Sequence, residues 1–175
     1  MPADAAPLAG DPPERSYRLR PAQAADLAAA EALLAGAGLT LNDLAAQFGP
    51  QYAVAVAGDE TLVGVAGVEV YADEVYAGAG TRVGLFRSAA VRADWRGRGV
   101  GTALTVDRLA WARAAGLGGV YLLTQTAAGY WPRFGFVPTD RAGAPAALRA
   151  SSEWAGACPA GATAMRLDFG ASARA

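Results

Sequence analysis

Arg96-Gly97-Arg98-Gly99-Val100-Gly101-Thr102 is the stretch of this chain whose residue types and spacing speak most directly to chemistry. Alternating glycines let a main chain turn tightly and aim several N–H groups at one point. Where such a turn opens a helix, the positive end of the helix dipole stands behind those groups, and together they hold a phosphate or pyrophosphate. The lysine that a nucleotide-triphosphatase phosphate loop needs after its last glycine is missing, because all 15 basic residues of the chain are arginine. The dinucleotide fingerprint fits poorly as well. Gly97 and Gly99 are followed by Thr102, the turn lies past mid-chain, and about 20 residues on, where an acidic residue belongs, comes an apolar stretch near Val120.

The chain has no histidine, so proton transfer is left to carboxylates, tyrosines and water. The same absence argues against a zinc site or a Ser-His-Asp triad, and no metal is expected. Glu69 interrupts the apolar run Val65-Ala66-Gly67-Val68-Glu69-Val70. It is the candidate proton acceptor, with burial to raise its proton affinity, or else a solvent-facing glutamate or a partner of Arg87. Arg87 interrupts the apolar Val83-Gly84-Leu85-Phe86 and shares a strand face with Leu85, Ala89 and Val91. It either grips a substrate carboxylate with both guanidinium prongs or forms a structural pair with Glu69. Ser88 and Arg149 complete the candidate substrate-binding residues. Arg149 also lies one helical turn from Glu153, its expected partner. Cys158 is the only cysteine, which excludes an internal disulfide, and without an activating base it reads as an inert small residue.

These residues need elements to position them. Tyr17-Arg18-Leu19-Arg20 reads as a strand, and Pro21 suits the first turn of a helix over 22–35 that ends at Gly36-Ala37-Gly38. A short helix over 41–48 follows, then two strands, 52–57 and 61–71, joined as a hairpin by Gly58-Asp59-Glu60. The loop 72–81, with Gly78 and Gly80, is flexible enough to lie over a site. A central strand over 82–91 runs into the glycine turn, and Val100, Ala103, Leu104, Ala110, Trp111 and Ala114 then recur at helical spacing to about Ala115. The spacing beyond predicts a buried strand over 120–124, a helix over 127–134 broken or restarted at Pro132, and an extended segment from Gly135. A helix over 144–154 and a strand over 162–169 close the pattern. Strands leading into a strand–helix–strand unit with a right-handed crossover predict an α/β (α+β) fold, a mixed central sheet flanked by helices.

The 175 residues suit one domain, 16–170, behind a disordered tail, 1–15, that lacks the marks of a signal peptide. Fifteen arginines against 16 acids give a net charge of −1, so no nucleic-acid partner is expected. No run of 18 apolar residues exists, so no membrane partner is expected either, and the expected location is cytoplasmic.

The hexapeptide Arg96 to Gly101 fits Arg/Gln-x-x-Gly-x-Gly and resembles motif A of the GNAT acetyltransferases. The likeness continues in Leu19-Arg20-Pro21-Ala22 with Asp26, in Leu62-Val63-Gly64, in Ala89-Ala90-Val91 and in Arg133-Phe134-Gly135-Phe136. It implies the GNAT acyl-CoA N-acyltransferase fold from about Tyr17 to Phe169, and acetyl transfer from acetyl-CoA to a small-molecule amine. It implies further that the backbone of Ala89, Ala90 and Val91 pairs with the pantetheine arm, and that Arg96, Gly97, Arg98, Gly99, Val100, Gly101 and Thr102 cradle the pyrophosphate. Many GNAT enzymes carry a tyrosine four residues before the glycine corresponding to Gly135, as the acid for the leaving thiolate. Trp131 stands there, leaving its neighbour Tyr130 as the candidate acid or as a core aromatic.

Gly67-Val68-Glu69-Val70-Tyr71, Phe86-Arg87-Ser88-Ala89-Ala90-Val91 and Tyr121-Leu122-Leu123-Thr124-Gln125-Thr126 resemble more narrowly the arsenic-resistance-associated N-acetyltransferases. So do Pro145 to Ala150, Glu153-Trp154 and Cys158-Pro159-Ala160. This likeness implies detoxification of an amino-acid-like or toxic amine, although Ala164 replaces the second cysteine those relatives usually carry. The alternative is a catalytically degenerate GNAT domain that senses acyl-CoA or serves as an interaction module. Homodimers are the expected assembly if the chain self-associates.

Overall fold

In the computed structural model, which describes residues 16–72, 82–157 and 161–170, the described strands form one mixed sheet. They are β1 (Tyr17–Pro21), β2 (Tyr52–Ala57), β3 (Leu62–Ala72), β4 (Arg82–Val91), β5 (Gly119–Thr124), β6 (Val137–Pro138) and β7 (Thr163–Asp168). The order across the sheet is β1-β2-β3-β4-β5-β7-β6. Its helices are α1 (Leu27–Gly36), α2 (Leu44–Gln47), α3 (Val100–Ala114) and α4 (Ala146–Arg149). The expected tail 1–15, the glycine loop 73–81 and Cys158 lie outside the described residues. No described helix is long and apolar enough to cross a membrane.

The sheet is antiparallel except at its centre, where β4 and β5 run parallel and α3 makes the crossover that a parallel pair requires. Strand β2 is buried along its whole length, so it reads as a continuous apolar run. Ala53 and Ala55 join Val68, Phe86, Val120 and Leu122 in the core beneath α3. Tyr52, Val54 and Val56 face the other way, where Ala30 and Leu34 of α1 and Leu44 of α2 cover them with Val65 and Ala90. A third cluster on β4 and β5 joins Leu85 and Tyr121 to Leu148 of α4, Trp154 and Ala164. The mixed, helix-flanked sheet is the architecture the element order predicts.

Four helical expectations shrink, the one over 41–48 to α2 alone. The first helix begins as a 3-10 turn at Ala24–Asp26 and becomes α-helical only from Leu27. Of 127–134, only Trp131–Phe134 is helical, since Pro132 starts a new turn and does not continue an old one. The helix over 144–154 is really α4 and a separate wide turn at Glu153–Ala157. Ser151 divides them: its hydroxyl donates to Leu148 O at 2.7 Å and accepts from Trp154 N at 3.3 Å, local bonds that compete with the helical ladder.

The entry to α1 is fastened by Asp26. Its carboxylate accepts two bonds from Arg20, at 2.6 and 2.7 Å, and one from Gln23 N at 2.8 Å. The hydrogen bonds from Arg20 are the main reason its carboxyl is held below the usual aspartate range. The folded state therefore favours the ionised form. Its contribution is complete above the unfolded carboxyl value, about pH 3.9, and is lost as pH falls through the lower folded value. Asp26→Asn is expected to cost about 1 kcal/mol at pH 7, after allowance for partial exposure. It should also flatten the loss of stability between about pH 4 and 2, as measured by urea unfolding across that range.

Candidate active site

Strands β4 and β5 pair only at Val83–Gly119, Gly84–Val120 and Leu85–Tyr121. Beyond Leu85 the two strands part. The cause lies in β4, where Gly67 of β3 pairs with Arg87 but Val65 pairs with Ala90. Ser88 and Ala89 thus face the single residue Ala66, and Ser88 takes a left-handed backbone conformation, φ 55°. A bulge of this kind bends and twists its strand, here away from β5. From Arg87 to Val91, β4 keeps β3 on one side while its other edge has no strand partner among the described residues.

The gap between the strands is a cleft of about 440 Å³. Leu85, Phe86, Arg87, Ser88 and Ala89 form one wall, Leu122 through Ala127 the other, and Trp131, Thr40 and Glu153 also line it. Near the end of β4 the chain enters α3 through Gly97 and Gly99, whose φ values of 75° and 79° suit glycine. Gly99 caps α3 with no side-chain bond to the first turn. The first N–H groups of that helix therefore have neither an intrahelical nor a capping partner, and they present an anion site. Arg96 braces the turn by donating to Val91 O at 3.1 Å, and Arg98 lies over the Trp95 ring.

Beside the cleft a polar network is buried between two apolar clusters. Glu69 has 0% exposure. Tyr52 donates to its Oε1 at 2.9 Å and Arg87 to the same oxygen at 3.2 Å, while Tyr71 donates to Oε2 at 2.8 Å. Arg87 reaches on to Glu153 Oε2 at 3.3 Å, and Thr40 donates to that oxygen at 2.7 Å. Burial first, and then the neighbouring Glu69, push both phenols above the usual tyrosine range, so they remain donors. The Tyr52 ring sits directly against Gly67, where any Cβ would overlap it.

The sequence candidates fall into three groups. Ala89, Ala90 and Val91 lie on the parted strand, and Arg96 through Thr102 form the turn and first residues of α3. Arg87 and Ser88 line the cleft, and Ser88 Oγ has no hydrogen-bond partner of good geometry among the described residues. The others lie elsewhere. Glu69 does not line the cleft, and both its oxygens are taken. The Tyr130 hydroxyl sits 3.3 Å from Thr102 Oγ1, at the start of α3. Arg149 is exposed and makes no pair with Glu153, because the helix expected to align them ends between them. Thr40 was missed as a cleft residue, and Glu153 was read only as the partner of Arg149 in a substrate role. Thr40 lies in a loop without local pattern, and Glu153 is turned inward by the break at Ser151.

Residues 50–138 match the family model for the acetyltransferase (GNAT) domain. The chain belongs to the GNAT acetyltransferase family and is an N-acetyltransferase. No curated protein sequence matches it significantly. Among solved structures, it is similar to Rv2747 of Mycobacterium tuberculosis in complex with CoA and NLQ. The TM-score is 0.68 at 21% identity, over 87% of this chain and 99% of that one. It is also similar to N-acetylglutamate synthase of Neisseria gonorrhoeae complexed with coenzyme A and N-acetyl-glutamate, with a TM-score of 0.69 at 18% identity. That match covers 89% of this chain and 35% of the synthase, so the chain spans about a third of that protein. A GNAT-family acetyltransferase of Staphylococcus aureus aligns with a TM-score of 0.66 at 11% identity, over 87% of this chain and 99% of that one. At these identities the likeness is one of fold.

The close seat of Tyr52 on Gly67 makes a direct prediction. Gly67→Ala forces the ring off its position and takes a donor from buried Glu69. It is expected to lower stability by about 1–3 kcal/mol, read as a shift in the urea midpoint at constant slope.

Proposed function

We propose that the chain transfers the acetyl group of acetyl-CoA to the amine of a small molecule held at the Arg87 end of the cleft. The observation that carries this reading is the unpaired edge of β4 beside the uncapped start of α3. An extended arm with amide groups adds to such an edge as an extra strand would, and the N–H groups of the α3 turn take the pyrophosphate. Acetyl-CoA supplies the activated acetyl group. The protein positions it, excludes water and receives the amine.

Main-chain contacts from Ala89 to Val91 and from Arg96 to Thr102 account for the small residues there. Tyr130, with its hydroxyl at Thr102, is placed to contact the phosphate-bearing part of the donor and not its sulfur. Thiolate departure then proceeds without that tyrosine. Arg87 and Ser88 form the acceptor wall, and Glu69 anchors Arg87 from behind. No substrate role is assigned to exposed Arg149.

The sequence likeness to arsenic-resistance-associated enzymes supports an amino-acid-like, toxic acceptor. A sensor that binds acyl-CoA without turnover is favoured by one observation, Trp131 in the place of the usual tyrosine, packed edge-on against Phe86 and Phe136.

Thiol release from acetyl-CoA separates the two readings. The acceptor panel is L-glutamate, L-methionine, phosphinothricin, an organoarsenical amino acid and n-pentylamine. Turnover with at least one is expected. Acetyl-CoA binding by calorimetry with no turnover would favour the sensor, and no binding would overturn both. Gly99→Val should weaken acetyl-CoA binding by about tenfold. A side chain in the left-handed conformation costs roughly 1–2 kcal/mol and is relieved only by turning the amides away.

A further inference from the structure

Resting on the acetyltransferase reading above, we infer that Glu153 receives the ammonium group of the acceptor and takes its proton, with Arg87 and Glu69 as the residues that position it. Glu153 is the only carboxylate among the described residues lining the cleft. Its side chain is 15% exposed, against 0% for Glu69. Thr40 and Arg87 both bind Oε2, whereas Oε1 accepts no bond from any of the described residues. The carboxylate is thus held by one oxygen and open at the other, the arrangement a proton acceptor needs.

The charge count points the same way. One guanidinium, Arg87, stands between two carboxylates, Glu69 and Glu153. When both are ionised, this buried group carries one surplus negative charge, which a substrate ammonium neutralises. The Tyr52 and Tyr71 phenols, which bind Glu69 as neutral donors, add no charge to it. Each terminal nitrogen of Arg87 already carries a carboxylate contact, one to Glu69 and one to Glu153.

In the step itself, an N–H bond of the ammonium breaks and an O–H bond forms at Glu153 Oε1, leaving the nitrogen lone pair free to form the amide. The nitrogen's second lost proton leaves with the sulfur. Ammonium and acetyl thioester thus become amide, thiol and one proton, which Glu153 returns to water.

The test is the pH dependence of kcat/KM for Glu153→Gln, Glu69→Gln and wild type, with the panel amine that wild type acetylates fastest. Glutamine can keep the Thr40 bond, and unchanged acetyl-CoA binding by calorimetry would show that the donor half of the site is intact. Glu153→Gln is expected to lose about 100-fold or more at pH 7. Its rate should then rise with the free-amine fraction, so that the gap to wild type closes toward pH 10. Rescue by Glu153→Asp is expected to be partial. Glu69→Gln should lower the rate while keeping the shape of the wild-type profile, as befits a positioning residue. A Glu153→Gln enzyme with wild-type rate and profile overturns the assignment alone, as does one whose deficit is the same at every pH. A wild-type protein inert to the whole panel overturns the acetyltransferase reading and this one with it.

Discussion

The parallel ladder between β4 and β5 stops after Leu85 and Tyr121, and the rest of the site is arranged around that break. Buried strand edges normally find a partner, because an unpaired backbone amide away from water is costly. Here the bulge at Ser88 and Ala89 turns β4 aside, and the edges stay apart because each is held on its other flank. Strand β3 grips β4 from Gly64 to Ala72, and β7 pairs with β5 along its length. The gap is therefore built into the sheet. A ligand that supplies the missing hydrogen bonds would complete the sheet at that gap.

Much of this was legible in the sequence. Alternation and glycine punctuation marked β2, β3, β4 and α3, because those elements are long or bounded by turns of definite chemistry. The glycine turn before α3 was legible for the same reason, since Gly97 and Gly99 adopt the conformation that only their residue type adopts freely. Of the alternatives its apolar run left open for Glu69, the structure has it buried and paired with Arg87. Its saturation was not legible, because the donors come from Tyr52, 17 positions away, and from a strand register that no local pattern records. The inward turn of Glu153 depends on Ser151 breaking a stretch whose composition favours a continuous helix.

Arg87 is the residue through which the two halves of the network communicate. It is 3% exposed and would be costly to bury alone, but two carboxylates and Thr40 surround it. Removing either glutamate leaves the guanidinium with one ionic partner, so effects at Glu69 and Glu153 will not add independently. Such coupling gives the acceptor wall one defined arrangement in place of a set of loosely held charges.

In the reading proposed above, the two ends of the cleft differ in what holds their ligands, and this bears on how such a protein diversifies. The donor end is built of main-chain groups, which persist through most substitutions that preserve the bulge and the glycine turn. The acceptor end depends on a few side chains, one of them carried on a short turn after α4 that stands outside the sheet. Sequence drift in that turn can exchange one acceptor for another while the donor machinery stays untouched. Lineages sharing this scaffold can thus part ways in what they modify long before they differ in how they fold.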